Sequence, residues 1–334
     1  MGNNVRIFFY FCGLKYVIPE ILKSMEYREI GKTGIKVSNI SFGASSLGGV
    51  SHPLKEESGI EAVHVAVDNG INFIDVSPYY GHLKAEQVLG KALKNIDRSR
   101  YYLSTKVGRY GKDGVNYWDY SAKRAKESVY ESMERLNVDY IDLVNIHDIE
   151  FSDLEQVCNE TLPALADLRN EGVVGHIGIT NLNLRHFKYV IDRVPEGLVE
   201  SVLSFCHYTL NDDSLTDYLD YFESKRVGVI NASPYSMGLL TERGVPDWHP
   251  APEALKRLSL KAVEYCKQKG VSIEQLAVSF SVNNPRIATT LFSTTNPENV
   301  LKTIRYANTP LDIELLKNIQ QIFEPGFRDT WVNS

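Results

Sequence analysis

Short runs of β-branched and aromatic residues alternate with longer amphipathic stretches along almost the whole chain. Each run is bounded by Gly, Pro, Asn or Asp and is short enough for one strand, which predicts buried β-strands. The stretches between the runs carry apolar residues three or four positions apart, the spacing of a helix that buries one face. The eight predicted strands are KVSNISFG (36–43), INFIDV (71–76), YYLSTKV (101–107), YIDLVNI (140–146), VGHIGIT (174–180), VESVLSF (199–205), VGVINAS (227–233) and IATTLF (287–292).

The helical stretches carry their own start and stop signals. A helix is predicted over residues 121–136, with its first serine as the N-cap. Helix ends are predicted at 68–70 and 171–172, where a glycine follows the last periodic residue. Pro163 predicts a break or a helix start near Thr161. Because parallel strands need crossover helices, eight strand–helix units predict a parallel sheet covered by helices.

A closed eight-stranded barrel and an open doubly wound sheet both accommodate this alternation. The open dinucleotide-binding form carries G-x-G-x-x-G after its first strand, and FGASSLGGV (42–50) lacks that spacing. The count of eight favours the barrel. We therefore expect a single α/β domain, a (β/α)8 TIM barrel, over residues 25–334. MEYREIGKTG has the pattern of a domain start, so residues 1–24 are predicted to be an N-terminal extension outside the fold.

Composition excludes several classes of function. With 334 residues, 43% of them hydrophobic and 23% charged, the chain can bury a large core. A net charge of −6 without a basic block disfavours nucleic-acid and membrane partners. We expect no metal, because the histidines form no ligand cluster. A reducing, cytoplasmic location without disulfides is predicted because the cysteines lie far apart, at Cys12, Cys158, Cys206 and Cys266.

Polar side chains fall at the carboxyl ends of three successive predicted strands. Asp75 ends the second strand, Lys106 ends the third and His147 follows the fourth. Tyr80 lies in the loop just after Asp75. Each residue alone has an ordinary interpretation: a turn aspartate, a solvated lysine, a core histidine or a packed tyrosine. In a barrel, however, these strand ends share the mouth where active sites lie, so we expect the four side chains to converge.

Such a set permits a specific chemistry. A phenol has a reference pKa near 10 and is a poor acid–base catalyst at neutral pH. An ammonium about 4 Å away, at an effective dielectric near 20, favours the phenolate by about 4 kcal/mol, so Lys106 is expected to lower the pKa of Tyr80 by up to about three units. Asp75 would hold Lys106 charged, and His147 would orient a substrate oxygen. This is a site for moving a proton on or off a carbonyl or alcohol oxygen, and it needs a hydride donor or acceptor.

Six stretches, taken in order, resemble the aldo-keto reductases: FGAS, NFIDVSPYYG, LSTKVGR, YIDLVNIHD, GHIGITN and GVINASPYSMGLLT. The resemblance spans residues 26–325. It implies a (β/α)8 barrel with an N-terminal β-hairpin and a C-terminal helical segment. It also implies an extended nicotinamide dinucleotide that is bound without a Rossmann motif. The catalytic tetrad of the family matches Asp75, Tyr80, Lys106 and His147.

The same resemblance assigns cofactor contacts. Thr180 and Asn181 match the Ser-Asn pair that holds the nicotinamide carboxamide, and Ser233 is also placed at the cofactor. Many family members stack a tyrosine of the seventh strand on the nicotinamide. This chain has Ala232 at that position, so the stack is expected to be absent or supplied by another residue.

The choice between NAD and NADP rests on the segment after the eighth strand. NADP-preferring members carry a Lys and an Arg there, where this chain has Ser293 and Asn299. A charged hydrogen bond contributes about 1.5–3 kcal/mol, so losing two would shift preference by about two to four powers of ten. We expect NAD. NADP stays possible because Lys302 and Arg305 lie close by.

Within the family, the chain is most similar to sugar dehydrogenases acting on L-galactose, L-fucose or D-arabinose. The resemblance therefore implies oxidation of an aldose at C1 to the lactone; L-galactose as substrate would imply a role in ascorbate biosynthesis. The alternatives are an NADPH-dependent reductase of aldehydes or ketones and a non-catalytic, nucleotide-sensing barrel. We expect a monomer or a weak homo-oligomer. The candidate substrate contacts, each also readable as a surface residue, are Asp148, Glu150, Trp248 and His249.

Overall fold

The computed structural model describes residues 25–49, 55–112 and 115–331. The predicted extension, residues 1–24, lies outside the described residues. The strands are β1 (Tyr27–Glu29), β2 (Lys36–Ser38), β3 (Ile40–Gly43), β4 (Phe73–Asp75), β5 (Tyr102–Val107), β6 (Arg109–Lys112), β7 (Val115–Trp118), β8 (Ile141–Ile146), β9 (Val174–Asn181), β10 (Ser201–Phe205), β11 (Gly228–Ala232) and β12 (Thr289–Phe292).

The α-helices of the described residues follow the same chain order. They are α1 (Glu56–Asp68), α2 (Lys84–Leu93), α3 (Ala122–Leu136), α4 (Leu154–Gln156), α5 (Leu162–Asn170), α6 (Leu184–Ile191), α7 (Leu219–Ser224), α8 (Glu253–Gln268), α9 (Ile273–Val282), α10 (Pro297–Ala307) and α11 (Ile313–Phe323).

Eight of the strands close into a parallel barrel in the order β3-β4-β5-β8-β9-β10-β11-β12. The order follows the chain, as expected when every crossover is a helix packed on the outside of the barrel. The N-terminal pair β1–β2 is an antiparallel hairpin, and α11 follows the last barrel unit. The predicted (β/α)8 barrel, with its hairpin and C-terminal helix, is confirmed.

The hairpin covers the amino-terminal end of the barrel. Ile30, Ile35 and Val37 pack in one cluster with inward-facing side chains of the barrel strands, such as Leu143 and Ile230. The turn lies so close to β11 that a Cβ on Gly31 would stand 2.5 Å from the backbone nitrogen of the first residue of that strand. The opposite, carboxyl-terminal end of the barrel is therefore the end left for a site.

The first predicted strand is wrong in one respect. Residues 36–43 form two strands, because the chain bends between Ser38, which pairs with β1, and Ile40, which pairs with β12. Asn39 makes the bend by donating its backbone N–H to the Glu26 carbonyl, at 2.8 Å. The alternating pattern continues through the bend, so the pattern alone does not reveal it.

The predicted helix signals correspond to real boundaries. Ser121 caps α3 by accepting the Arg124 N–H at 3.3 Å, and α3 ends at Leu136 as predicted. Pro163 lies in the first turn of α5, close to the helix start predicted near Thr161. There is no break before it: a π-helical turn, Val157–Thr161, joins α4 to α5.

Candidate active site

Three of the four predicted catalytic residues lie at neighbouring strand ends because of the barrel topology. Asp75 is the last residue of β4, Lys106 is the next-to-last residue of β5, and His147 directly follows β8. All three side chains are buried; that of Lys106 is only 1% exposed. The Lys106 ammonium is paired with the Asp75 carboxylate and donates to the Val76 carbonyl at 2.9 Å. A buried lysine with these two partners is held in one position.

Tyr80, the fourth residue, lies over this pair at the mouth. Its ring centroid is 5.0 Å from the Lys106 ammonium and 5.7 Å from the His147 ring, which it meets edge to face. Burial raises the pKa of Tyr80 above its ordinary value, and Lys106 opposes that effect without overcoming it. The expected lowering of the Tyr80 pKa is therefore wrong. The free energy needed to remove the phenolate from water is larger than the favourable interaction with Lys106, because Asp75 partly neutralises the charge of that lysine.

Lys106 itself stays charged. Burial alone would lower its pKa, but Asp75 and Tyr80 together raise it above the ordinary value. Asp75 is supported from below by the Ser104 hydroxyl, which donates to its second oxygen at 2.8 Å. Asn145 donates in turn to the Ser104 oxygen at 3.0 Å. This chain of donors stabilises the carboxylate that holds the lysine.

His147 is buried beside two cations. Burial, together with the charges of Lys106 and Arg109, lowers the pKa of His147 well below its ordinary value. The imidazole is therefore neutral at pH 7 and carries one N–H. Its Nδ1 lies 3.0 Å from the Ser77 hydroxyl oxygen, and its Nε2 lies 3.7 Å from an Asp148 carboxylate oxygen.

Arg109, on β6, is a site residue that the sequence argument missed. Its guanidinium pairs with Asp148 at 2.5 Å and donates to the Tyr79 hydroxyl at 2.9 Å. The guanidinium carbon lies 3.7 Å from the Tyr79 ring centroid and 4.4 Å from that of Trp118, which itself stacks on Phe151 at 4.2 Å. The signal was present: Arg109 follows Lys106 by three positions, just past the same strand end.

The predicted substrate contacts are mostly engaged with the protein. Asp148 is buried against Arg109, and burial raises its pKa while Arg109 opposes the shift. Glu150 accepts the backbone N–H groups of the two residues after β9, at 3.0 and 3.3 Å. His249 is buried and bonded to the Ser236 carbonyl at 2.9 Å. Trp248 is 55% exposed and stacks on His249; it makes no hydrogen bond or ring contact with the tetrad in the described part of the chain.

The predicted nicotinamide contacts lie next to the tetrad. Thr180 and Asn181 end β9, and the Thr180 hydroxyl accepts the backbone N–H of Asp148 at 2.9 Å. The side-chain oxygen Oδ1 of Asn181 accepts the Glu150 backbone N–H at 2.9 Å, while its side-chain nitrogen Nδ2 donates to the Asn183 carbonyl at 2.8 Å. A hydroxyl and an amide are groups that can bind a carboxamide, but both already have partners in the protein: the Thr180 hydroxyl also donates to Asp148 at 3.4 Å, and the Asn181 amide nitrogen lies 3.0 Å from Nδ1 of His186. Their contact with a nicotinamide stays a prediction.

The remaining predicted cofactor residues follow the last two strands. Ala232 ends β11 inside the barrel, and Ser233 follows it with a positive φ of 61°. Ser293 follows β12, and its hydroxyl lies 2.7 Å from that of Ser46. Asn299 is exposed in the first turn of α10, whose N-terminal N–H groups suit an anion. These residues follow the carboxyl ends of β11 and β12, and their contact with a dinucleotide stays a prediction.

The described residues lack two other structural features. No group of three or more His, Cys, Asp or Glu side chains there is arranged to hold a metal ion. No helix in the same part of the chain is both long and apolar enough to cross a bilayer.

Comparisons with known proteins agree with this geometry. The model of the aldo/keto reductase family matches residues 39–324. An L-galactose dehydrogenase from Arabidopsis thaliana is 46% identical over 316 residues, 93% of this chain and 98% of that protein. A D-arabinose 1-dehydrogenase from Saccharomyces cerevisiae is 32% identical over 67% of this chain and 68% of its own. The solved holo structure of an aldo-keto reductase from Bacillus halodurans, 26% identical, superposes with a TM-score of 0.75 over 89% of this chain and 96% of that one.

A barrel of this topology, a buried lysine–aspartate pair under a tyrosine, and a family match over most of the chain lead to one conclusion. The chain belongs to the aldo/keto reductase family and is an oxidoreductase.

Proposed function

We propose that the protein is an NAD-dependent aldose 1-dehydrogenase, oxidising L-galactose, L-fucose or D-arabinose at C1 to the lactone. The observation that carries the proposal is the 46% identity to an L-galactose dehydrogenase over 98% of that protein's length. Tyr80 and His147 at the barrel mouth support it, because a sugar needs directional polar partners at its reacting oxygen. A cytoplasmic location, a role in ascorbate biosynthesis and a monomeric or weakly associated state stay predictions.

The tetrad supplies the proton chemistry of this reaction. Tyr80, as the phenolate, takes the proton of the C1 hydroxyl, and Lys106 stabilises that phenolate. His147 donates a hydrogen bond to the same oxygen, and Asp75 keeps Lys106 charged and in place. Thr180 and Asn181 would hold the nicotinamide carboxamide. A bound nicotinamide dinucleotide would supply the hydride acceptor, so that the sugar would lose one hydride from C1 and one proton to Tyr80 and become the lactone.

Contacts around α10 support NAD over NADP. The Ser293 hydroxyl is already hydrogen-bonded to the Ser46 hydroxyl. The first turn of α10 carries the carboxylate of Glu298, which would repel a 2′-phosphate. The Lys302 ammonium lies 5.5 Å from the ring centroid of Tyr306. Burial lowers the pKa of Lys302, but its hydrogen bond to the Tyr306 phenol, with nearby charges, outweighs burial and leaves that pKa raised. Lys302 thus has another partner. Arg305 lies eight residues, about 12 Å, along the helix from Pro297, too far to act as part of its N-terminus.

One observation favours the reverse reaction as a second candidate. The raised pKa of Tyr80 leaves the phenol protonated at neutral pH, ready to donate its proton to a carbonyl oxygen. An NADPH-dependent reductase of aldehydes or ketones would use the site in that state.

Absorbance at 340 nm separates the two candidates. The purified protein is mixed with NAD⁺ or NADP⁺ and with L-galactose, L-fucose, D-arabinose or D-glucose, and separately with NADPH and simple aldehydes. NADH formation with one of the first three sugars is expected. Oxidation of NADPH by aldehydes, with no signal from any sugar, would assign the protein to the reductases.

Tyr80→Phe tests the role of the tetrad. Loss of the phenol should reduce sugar oxidation by about a hundredfold to ten-thousandfold, the contribution of general acid–base catalysis. The dissociation constant of the dinucleotide, measured by quenching of tryptophan fluorescence, should stay within about twofold. Tyr130→Phe is the matched control, since Tyr130 is 45% exposed on the outer helix α3. Equal loss of turnover and nucleotide binding would mean that Tyr80 acts structurally.

A further inference from the structure

Ser77 is a buried residue beside the tetrad with no role in the chemistry described so far. It lies two positions beyond Asp75, between the end of β4 and Tyr80, and its side chain has no exposed surface. Its hydroxyl oxygen lies 3.0 Å from Nδ1 of His147. The same oxygen accepts the backbone N–H of Tyr79 at 3.1 Å. The hydroxyl thus joins the loop that carries the tetrad tyrosine to the tetrad histidine.

The direction of the Ser77–His147 hydrogen bond follows from counting donors and acceptors. A serine hydroxyl has one proton to donate, and a neutral imidazole has one N–H and one bare nitrogen. Among the hydrogen bonds of the described residues, Nδ1 of His147 is the acceptor available to that serine proton. If Nδ1 carried the imidazole proton, it would donate to the Ser77 oxygen, and the buried serine proton would have no acceptor among the described residues, which is costly.

The other side of the ring favours the same tautomer. Nε2 faces the Asp148 carboxylate at 3.7 Å, which attracts a proton to Nε2. A carboxylate alone would also favour a fully protonated imidazolium, but the Arg109 guanidinium is paired with the same Asp148 oxygen at 2.5 Å. The ionisable groups around the ring, from every element packed on it, are Tyr79, Tyr80, Lys106, Arg109 and Asp148.

We propose that Ser77 is a positioning residue: its hydroxyl donates to Nδ1 of His147, fixes the ring and keeps its single proton on Nε2, with Arg109 preventing Asp148 from adding a second. Nε2–H is then the group that His147 presents to the substrate oxygen. This last step rests on the proposed function; the assignment of the proton does not.

The proton position can be measured without any substrate. In protein labelled with ¹⁵N-histidine, long-range proton–nitrogen NMR spectra distinguish a protonated ring nitrogen from a bare one. The His147 signals are assigned from their absence in His147→Gln. We expect a bare Nδ1 and a protonated Nε2 from pH 6 to 8. A protonated Nδ1, or a doubly protonated ring in that range, would overturn the proposal. This holds whether or not the protein oxidises a sugar.

Ser77→Ala then measures what the hydroxyl contributes. We expect kcat to fall about tenfold, the effect of one lost hydrogen bond, with the dinucleotide dissociation constant unchanged. The His147 Nδ1 signal should move toward that of a bare nitrogen without a donor. Ser41→Ala is the matched control, because Ser41 is equally buried but lies on β3 and bonds to Thr289 and Ser38, away from the tetrad. Unchanged kcat and an unchanged Nδ1 signal in Ser77→Ala would contradict the proposal. If Ser77→Ala does not fold, the wild-type spectrum still decides.

Discussion

At the scale of single residues, the activity depends on a balance at Tyr80. Burial raises the free energy of the phenolate, and Lys106 offsets only part of that rise because Asp75 partly neutralises its charge. Tyr80 therefore stays protonated at pH 7. Such a residue is a ready acid for reduction but must lose its proton before it can serve as a base for oxidation.

This balance predicts the pH dependence of sugar oxidation. Because the pKa of Tyr80 is raised, the phenolate is a minor species at pH 7, and kcat/KM should rise about tenfold per pH unit through the mildly alkaline range. In the reverse direction the rate should not change with pH near neutrality, since Tyr80 is already fully protonated there. Initial rates of NADH formation from pH 6 to 10 measure the profile. A profile that is flat between pH 7 and 9, with chemistry limiting, would exclude Tyr80 as the base.

At the scale of elements, neighbouring strands must leave room for the polar chain under the tetrad. Gly178 on β9 provides that room. A Cβ at this position would stand 2.2 Å from the Asn145 side-chain oxygen and 2.4 Å from the Ser201 hydroxyl. Asn145 is the donor that supports Ser104 and, through it, Asp75. A missing side chain on one strand thus lets the next strand reach the site.

Gly178→Ala should therefore be destabilising. Overpacking a buried position costs about 1–3 kcal/mol, and a displaced Asn145 should also lower kcat. Urea unfolding measures the loss. The double variant Gly178→Ala/Ser201→Ala should recover part of the stability, because it removes one of the two clashing atoms. Ser201→Ala alone should be nearly neutral, since that buried hydroxyl has no hydrogen-bond partner among the described residues. A fully stable Gly178→Ala would show that the barrel interior can relax there.

At the scale of the whole molecule, the two ends of the barrel have separate tasks. The hairpin closes the amino-terminal end, and the strand ends at the other side hold the site. Arg28 ties the hairpin to the barrel by donating to the carbonyls of Val282, Asn284 and Ile287, at 2.7, 2.8 and 2.9 Å. These bonds join parts of the chain about 250 residues apart.

Arg28→Met separates stability from activity. Loss of three charged hydrogen bonds, at about 1.5–3 kcal/mol each, should lower the free energy of unfolding by at least about 4 kcal/mol, whereas kcat of the folded protein should be unchanged because the site lies at the other end. Urea unfolding and rate measurements below the transition test both parts. The control is Arg286→Met, whose exposed ion pairs with Asp220 and Glu223 should contribute less than about 1 kcal/mol each. Equal losses in the two variants would contradict the closing role of Arg28.

Local sequence signals were enough to predict the barrel and the positions at its mouth. Hydrophobic runs, caps such as Ser121 and the polar residues at strand ends are local signals, and the rule that parallel strand ends meet at one mouth turns them into a spatial prediction. That reasoning placed Asp75, Lys106 and His147 at neighbouring strand ends, with Tyr80 above them, as the structure does.

The chemistry of those positions became clear only from the folded arrangement of the elements. Whether Tyr80 gains or loses acidity depends on burial set against the charge of Lys106, and no linear pattern states that balance. The bend at Asn39 and the contacts of Ser77 and Arg109 depend on partners 13, 70 and 39 residues away. Such contacts arise when the closed barrel brings distant loops together. The physical reason is that periodicity records which side of an element is buried, whereas pKa values and hydrogen-bond directions are set by which other elements bury it.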